Sequence, residues 1–376
     1  MTRGFASIYV KHQFLRLAPP APEDSGGGAQ GGGQSKLYTG GGSPLSTAQA
    51  GKWGKWTRYN GAMYAQTRER GRLFERPEEP RALRITARDL ALLGHLARLR
   101  LASVGQLAAL DGGSGQNVSR SLLVLWEHGY VERLLGQLES RLRYKGSFPL
   151  IYGLTRPGAW LLRKHGYDVR RRLLYETDKQ RNAGWRFIEH RVDITEFMVR
   201  LELACRGRHD VALLTRTEIL EDAPKTHRDR RVRLSAKVRI DGILKEHSAD
   251  PDELFGLRVG QSGHESYFMF ERDRGEMPVV RHRSKEQTYY VKKMLIYHEA
   301  NRQGVHTREL GIPHFRVATV TTTADRVEQM IAAQREITNG KGSNMFLFTD
   351  EATFAASDPL DVLWTTGKGS RIRLTD

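Results

Sequence analysis

The sequence predicts an α+β chain of several parts: a disordered glycine-rich tail, a small module of helices followed by two strands, and an α/β domain with a mixed sheet. Glycine runs such as GGGAQGGGQ are confined to the first 80 residues. Helical periodicity begins abruptly at Thr86. From about residue 185, apolar runs that suit strands alternate with long helical patterns, an arrangement that packs helices on the faces of a sheet.

Residues 1–80 read as a flexible coil, because glycine and serine bury little and leave the backbone free. Trp53, Trp56, Tyr59 and Tyr64 stand among Lys52, Lys55 and Arg58. Such interleaving can stack on single-stranded bases, and it equally suits a docking peptide for a protein partner. The stretch ERPEEPR, residues 75–81, marks the boundary.

Residues 84–168 form the small module. Thr86 can cap a helix, with Asp89 in the capping-box position. ARDLALLGHLARLR follows, and Ser103 caps a second helix, SVGQLAAL. A DGGSG turn leads to QNVSRSLLVLWEHG, where Val118, Leu122 and Leu125 recur on one face and Gly129 suits the end. YVERLL and PLIYGLT read as two strands joined by the basic loop SRLRYKGS, and RPGAWLLRKHG as a closing helix. Three helices and a hairpin are the winged-helix order, with the second and third helices forming the helix-turn-helix. The third helix would expose Gln116, Asn117, Ser119 and Arg120, residue types that bond base edges and phosphates. Arg141, Arg143 and Lys145 at the hairpin tip would bind the backbone. Many winged helices bind protein instead, so double-stranded DNA is an expectation. Arg170–Arg172 and YETDKQRNAG read as an exposed connection that could touch phosphates.

In the second domain, residues 185–350, a long helix (WRFIEHRVDITEFMVRLELACR) precedes the strands VALLTRTEIL, RRVRLSAKVRIDGILK with a loop after it, and SYFMFERDRG. A helix through Lys292 and Lys293, the strand FRVATVTTT, a helix and the strand NMFLFTD complete it. Residues 351–376 read as a C-terminal tail. Asp241 falls near one strand end, and Glu271 and Asp273 at another. Residues two apart on a strand share a face, so Glu271 and Asp273 can converge, and an adjacent strand could add Asp241. Such a cluster can hold Mg²⁺ through oxygen ligands. The same carboxylates could simply pair with Arg272 or Arg274.

TARDLALLGHLARLR, LTRPGAWLL, the helix containing His190, RIDGIL, YFMFERDRG, the Lys292–Lys293 helix and FRVATVTTTADRV, in that order, resemble the replication-relaxation family. The resemblance runs over roughly residues 84–340. It implies a protein of bacterial plasmids, conjugative elements or phages, with a winged helix joined to a domain similar to the PD-(D/E)XK nuclease fold. It implies metal-binding acids at the places of Asp241 and Glu271, with Glu189 or Glu196 as a helical acid and Mg²⁺ as the metal if the site is active. An active enzyme of that kind carries Lys two residues after Glu271, where this chain has Asp273. Lys292 or Lys293 could substitute. The catalytic set implied is therefore Asp241, Glu271, Asp273 and Lys293, and whether it cleaves stays open.

With 60 Lys+Arg against 43 Asp+Glu, the net charge of +17 favours an anionic partner. The lone cysteine, Cys205, excludes an internal disulfide and reads as a buried thiol. No apolar run of about 18 residues suits a membrane span, and the first residues lack the apolar core of a signal peptide; a cytoplasmic location and no membrane partner follow. The function expected is a DNA-binding accessory of mobile-element replication or transfer, with a relaxase or replication protein as partner. The alternatives are a metal-dependent nuclease or nickase, a transcriptional regulator and a protein-binding scaffold. No heptad run argues for a homodimer, which stays open.

Overall fold

The computed structural model describes residues 72–138, 149–280 and 290–376. The tail, the basic loop over 139–148 and the segment 281–289 lie outside them, and with them the readings made on Trp53–Tyr64 and on Arg141, Arg143 and Lys145. All described residues fall within one compact unit, Thr47–Asp376.

Helix α1, Ala87–Leu99, starts on the Thr86–Asp89 capping box. Strand β1, Leu101–Ser103, leads directly into α2, Val104–Asp111, which is capped reciprocally by Ser103 and Gln106. Helix α3 spans Gly115–Glu127, and Gly129 follows it at φ 77°, where glycine carries no Cβ penalty. Strands β2, Val131–Arg133, and β3, Ile151–Leu154, join β1 in a three-stranded antiparallel sheet of order β1-β3-β2. Helix α4, Arg156–Lys164, is capped by Thr155.

The expected exposed connection is instead a helix, α5, Arg171–Gln180, and it buries Leu174. Glu176 on it binds Arg172 and Arg100, and Arg170 donates to the carbonyls of Thr217 and Arg228. These cations hold helices and loops together, so Arg170 and Arg172 are not simply solvated charge.

Helix α6, Trp185–Arg206, is the longest element. The Thr195 hydroxyl donates to the Leu101 carbonyl at 2.6 Å, and Phe197 stacks on Phe270 at 3.8 Å. Cys205 is buried, and burial pushes its thiol up to about 12. Strand β4, Val211–Leu214, stops where Thr215 caps the short helix α7, Arg216–Ile219; the second half of VALLTRTEIL is not strand. After α8, Lys225–Arg228, strands β5, Leu234–Ile240, and β6, Ile243–Ala249, pair as a separate two-stranded ribbon.

Strand β7, Glu253–Val259, occupies sequence expected as loop. It pairs antiparallel with β4 and with β8, His264–Arg272. Helices α9, Tyr290–Arg302, and α10, Val305–Leu310, cross to β9, Arg316–Thr321, which runs parallel to β8. Helix α11, Ala324–Ile337, and β10, Phe346–Asp350, follow. Residues 351–376 are no tail: α12, Glu351–Ala356, β11, Trp364–Thr366, and β12, Arg371–Ile372, extend the same sheet. Its order is β12-β11-β10-β9-β8-β7-β4, parallel in the middle and antiparallel at both ends.

Alternate residues of β8 face two separate cores. Phe268 and Phe270 join α6, Phe354 and Trp364 on one face, and that core continues unbroken into Leu93, Leu122 and Leu125 of the small module. Met269 joins Met294, Tyr297 and Met330 on the other face. The product is a helix–sheet–helix sandwich with the three-helix module fused to one layer. No helix among the described residues is long and apolar enough to cross a membrane.

Candidate functional site

Helix α3 divides cleanly into two sides. Val118, Leu122 and Leu125 are fully buried, while Gln116, Asn117 and Arg120 are exposed and Ser119 is half-buried. The exposed side carries one guanidinium, two side-chain amides and a hydroxyl within two turns of the helix start. Such groups can bond both phosphate oxygens and base edges.

The second cluster lies in the large sheet. On α9, Tyr290, Lys293 and Tyr297 recur at i, i+3 and i+7 and so share the side facing the sheet. Lys293 Nζ donates to Glu271 Oε2, Tyr297 donates to Glu271 Oε1 at 2.5 Å, and Tyr290 bonds the Thr319 hydroxyl at 2.6 Å. Asp252 heads the neighbouring strand β7. Its Oδ1 lies 3.0 Å from His190 Nε2, and its Oδ2 accepts the Arg272 backbone N–H at 2.8 Å. Burial pushes the Glu271 carboxyl up to about 7, against the pull of Lys293. Burial acts the same way on Asp252, but His190 and Lys293 outweigh it and hold that carboxyl at about 2. Lys293 is raised: burial opposes its charge, but Glu271, Asp252 and Asp250 favour it.

Glu271 and Asp273 do share a face, yet they serve different partners. Asp273 is clamped by Arg326 at 2.5 and 2.9 Å and by the Thr321 hydroxyl at 2.5 Å, which ties β8 to α11. Arg272, between them, points to the opposite layer and binds Asp193 and Glu351. Burial lifts Asp193 to about 7. Of the helical acids, Glu189 pairs with Arg274, and Glu196 accepts from Gln106 of α2 at 3.0 Å.

Asp241 is not brought to Glu271. It sits exposed in the two-residue turn between β5 and β6, at φ 52° beside Gly242 at φ 78°. An Asp-Gly pair is a tight-turn signature. The strand hydrogen-bonded beside β8 is β7, so the carboxylate near Glu271 is Asp252. Sequence reasoning passed over Asp252, His190, Tyr290 and Tyr297. The available signal was Pro251-Asp252 standing just ahead of the apolar run Leu254–Leu257.

Mg²⁺ does not fit these residues as they stand. Among the described residues no three His, Cys, Asp or Glu side chains are grouped to hold a metal ion. Glu271 is only 2% exposed, and both its oxygens already meet donors from α9. A hydrated ion that parts reluctantly with its water would have to displace Lys293.

The family model for replication-relaxation covers residues 93–312, from α1 through α10. The chain belongs to the replication-relaxation family. No curated protein and no solved structure matches it.

Proposed function

We propose that this chain is a duplex-DNA-binding protein of plasmid or mobile-element replication or transfer, and that it grips DNA through a winged helix formed by α1–α3 and β1–β3. The observation that carries this is the two-sided α3: apolar residues fully buried on one side, Gln116, Asn117 and Arg120 exposed on the other. The element order α1-β1-α2-α3-β2-β3, with β1 closing the hairpin sheet, supports the same reading. So does the net charge of +17. In this reading α3 enters the major groove, and Arg141, Arg143 and Lys145 bind the DNA backbone.

Fluorescence anisotropy with a labelled duplex, titrated over salt, tests it. Arg120→Ala should weaken binding several-fold and reduce the slope of log K against log[salt] by about 1. Unchanged affinity and slope would remove α3 from the interface.

Binding without cleavage is the expectation for the sheet domain. Lys293 and Glu271 form an ion pair, Asp273 is locked to Arg326, and Asp241 stands at a hairpin turn. Supercoiled plasmid incubated with Mg²⁺ or Mn²⁺ should therefore stay supercoiled. Nicking that disappears in Asp252→Ala and Glu271→Ala would reverse that conclusion and establish a nickase. Occupancy of the element's own promoter rather than its origin would make the protein a regulator.

A further inference from the structure

The β5–β6 ribbon has no role in the readings above, and its composition is unusual. It is a sheet of its own, seven residues on each strand in unbroken register from Leu234–Ala249 to Ile240–Ile243, so it reaches about 20 Å. Its base is anchored. Ala236 and Val238 are buried against the α9 layer, and Gln303, just past the end of α9, bonds both the N–H and the carbonyl of Lys237. Ile240 still packs half-buried against the same layer, so the turn and the first residues of β6 are what stand clear of it. There Ile243 and Leu244 are 57% and 54% exposed, although both are large aliphatics. As neighbours on a strand they point to opposite faces, so the tip is apolar on both sides. The turn itself is stiff: Asp241 and Gly242 both hold positive φ, and Arg239 Nη1 donates to the Gly242 carbonyl at 2.9 Å.

Cations flank this tip. Lys237, Arg239 and Lys245 are exposed along the strands, and Arg230 is exposed ahead of the base. Lys292 lies close enough, together with Lys245, to push His247 below the ordinary histidine range, after the effect of burial. Asp241 and Glu246 oppose them, Glu246 directly across from Lys237. Residues 230–250 nonetheless carry six Arg and Lys against three carboxylates. A stiff, basic ribbon with an apolar point suits a nucleic-acid groove: cations bind the flanking phosphates while aliphatic side chains wedge between base steps and kink the duplex.

We propose that the β5–β6 ribbon is a second duplex-DNA contact, with Ile243 and Leu244 as a wedge that bends the DNA held by the rest of the protein. The inference rests on the reading that duplex DNA is the ligand, and adds deformation to recognition.

The test uses the full chain and a duplex labelled at both ends with a fluorescence donor and acceptor. Wild type should raise energy transfer at saturation. Ile243→Ser/Leu244→Ser should bind within about threefold of wild type yet lose that rise. Lys237→Gln/Lys245→Gln should lower the salt slope by about 2. Urea midpoints of both variants should match wild type, since every changed side chain is exposed and the turn is untouched. A wild type that does not bend DNA, or a tip variant that bends it equally, overturns the proposal. Loss of binding to phosphatidylserine vesicles with DNA bending intact overturns it in favour of a lipid surface. If the ribbon variants fail while Arg120→Ala binds normally, the α3 reading falls and the ribbon stands; the reverse pattern sinks the ribbon alone.

Discussion

Replacing Lys293 by Met removes the cation beside a carboxylate that cannot reach water. The Glu271 side chain is 3% exposed and that of Lys293 27%. Breaking a fully buried pair costs about 3–5 kcal/mol; the partial contact of Lys293 with solvent lowers the expected loss to about 2–3 kcal/mol. The loss carries a pH signature. Burial lifts native Glu271 to about 7 even with Lys293 pulling it down, whereas an unfolded glutamate titrates at about 4.3. Between these values the native state keeps a proton that the unfolded state has released, so stability falls as pH rises. Without Lys293 the native carboxyl climbs further and that window widens upward. Lys293→Met should therefore lose most stability above about pH 7, where wild-type Glu271 ionises beside its cation, and least below it. Urea unfolding of wild type and variant at about pH 5 and pH 8, with unchanged m values, measures the difference. An equal loss at both pH values, or a larger one in acid, would refute the reasoning.

Arg326→Ala should cost about 3 kcal/mol, because it strips both guanidinium bonds from an Asp273 side chain that is 3% exposed; thermal unfolding reads it. His95 is lowered to about 4, by burial first and then by Arg98. The unfolded chain takes up that proton first, so stability should fall as pH drops from about 6.5 toward 4, and His95→Gln should flatten that limb of the curve. Deleting residues 351–376 should leave the protein insoluble, since it removes the fully buried Phe354, Trp364 and Leu374 and exposes the edge of β10; the soluble fraction after expression is the measurement.

The helical module was legible because its signals are local. Thr86 and Ser103 are caps with their box partners in place, and Val118, Leu122 and Leu125 keep a strict helical period. Strand β7 was not legible, because Glu253–Leu257 is buried on both faces and shows no alternation. That omission misplaced Asp241: with β7 unread, the ribbon looked like the strand beside β8. Arg170 and Arg172 looked like solvated charge: the i,i+4 spacing of Arg172 and Glu176 was there to be read, but nothing local reveals the distant carbonyls that receive Arg170. Strands β11 and β12, of three and two residues, are too short to give a pattern, and only tertiary packing around Trp364 makes them part of the sheet. Lys293 was reached only through the family resemblance; Tyr297 follows it by one helical turn, but its meeting with Glu271, like that of Asp252, depends on how the helix and strands pack.

Helix α6 is a common spine. Twenty-two residues, about 33 Å of it, carry Thr195 bonded to Leu101 in the small sheet and Phe197 stacked on Phe270 in the large one, two residues apart. Arg191 and His190, one turn earlier, fasten the start of β7. The small sheet and the seven-stranded sheet are thereby fastened to neighbouring positions of one continuous helix. The same helix also holds the start of β7 through Asp252, so three elements from both sheets share it as a support.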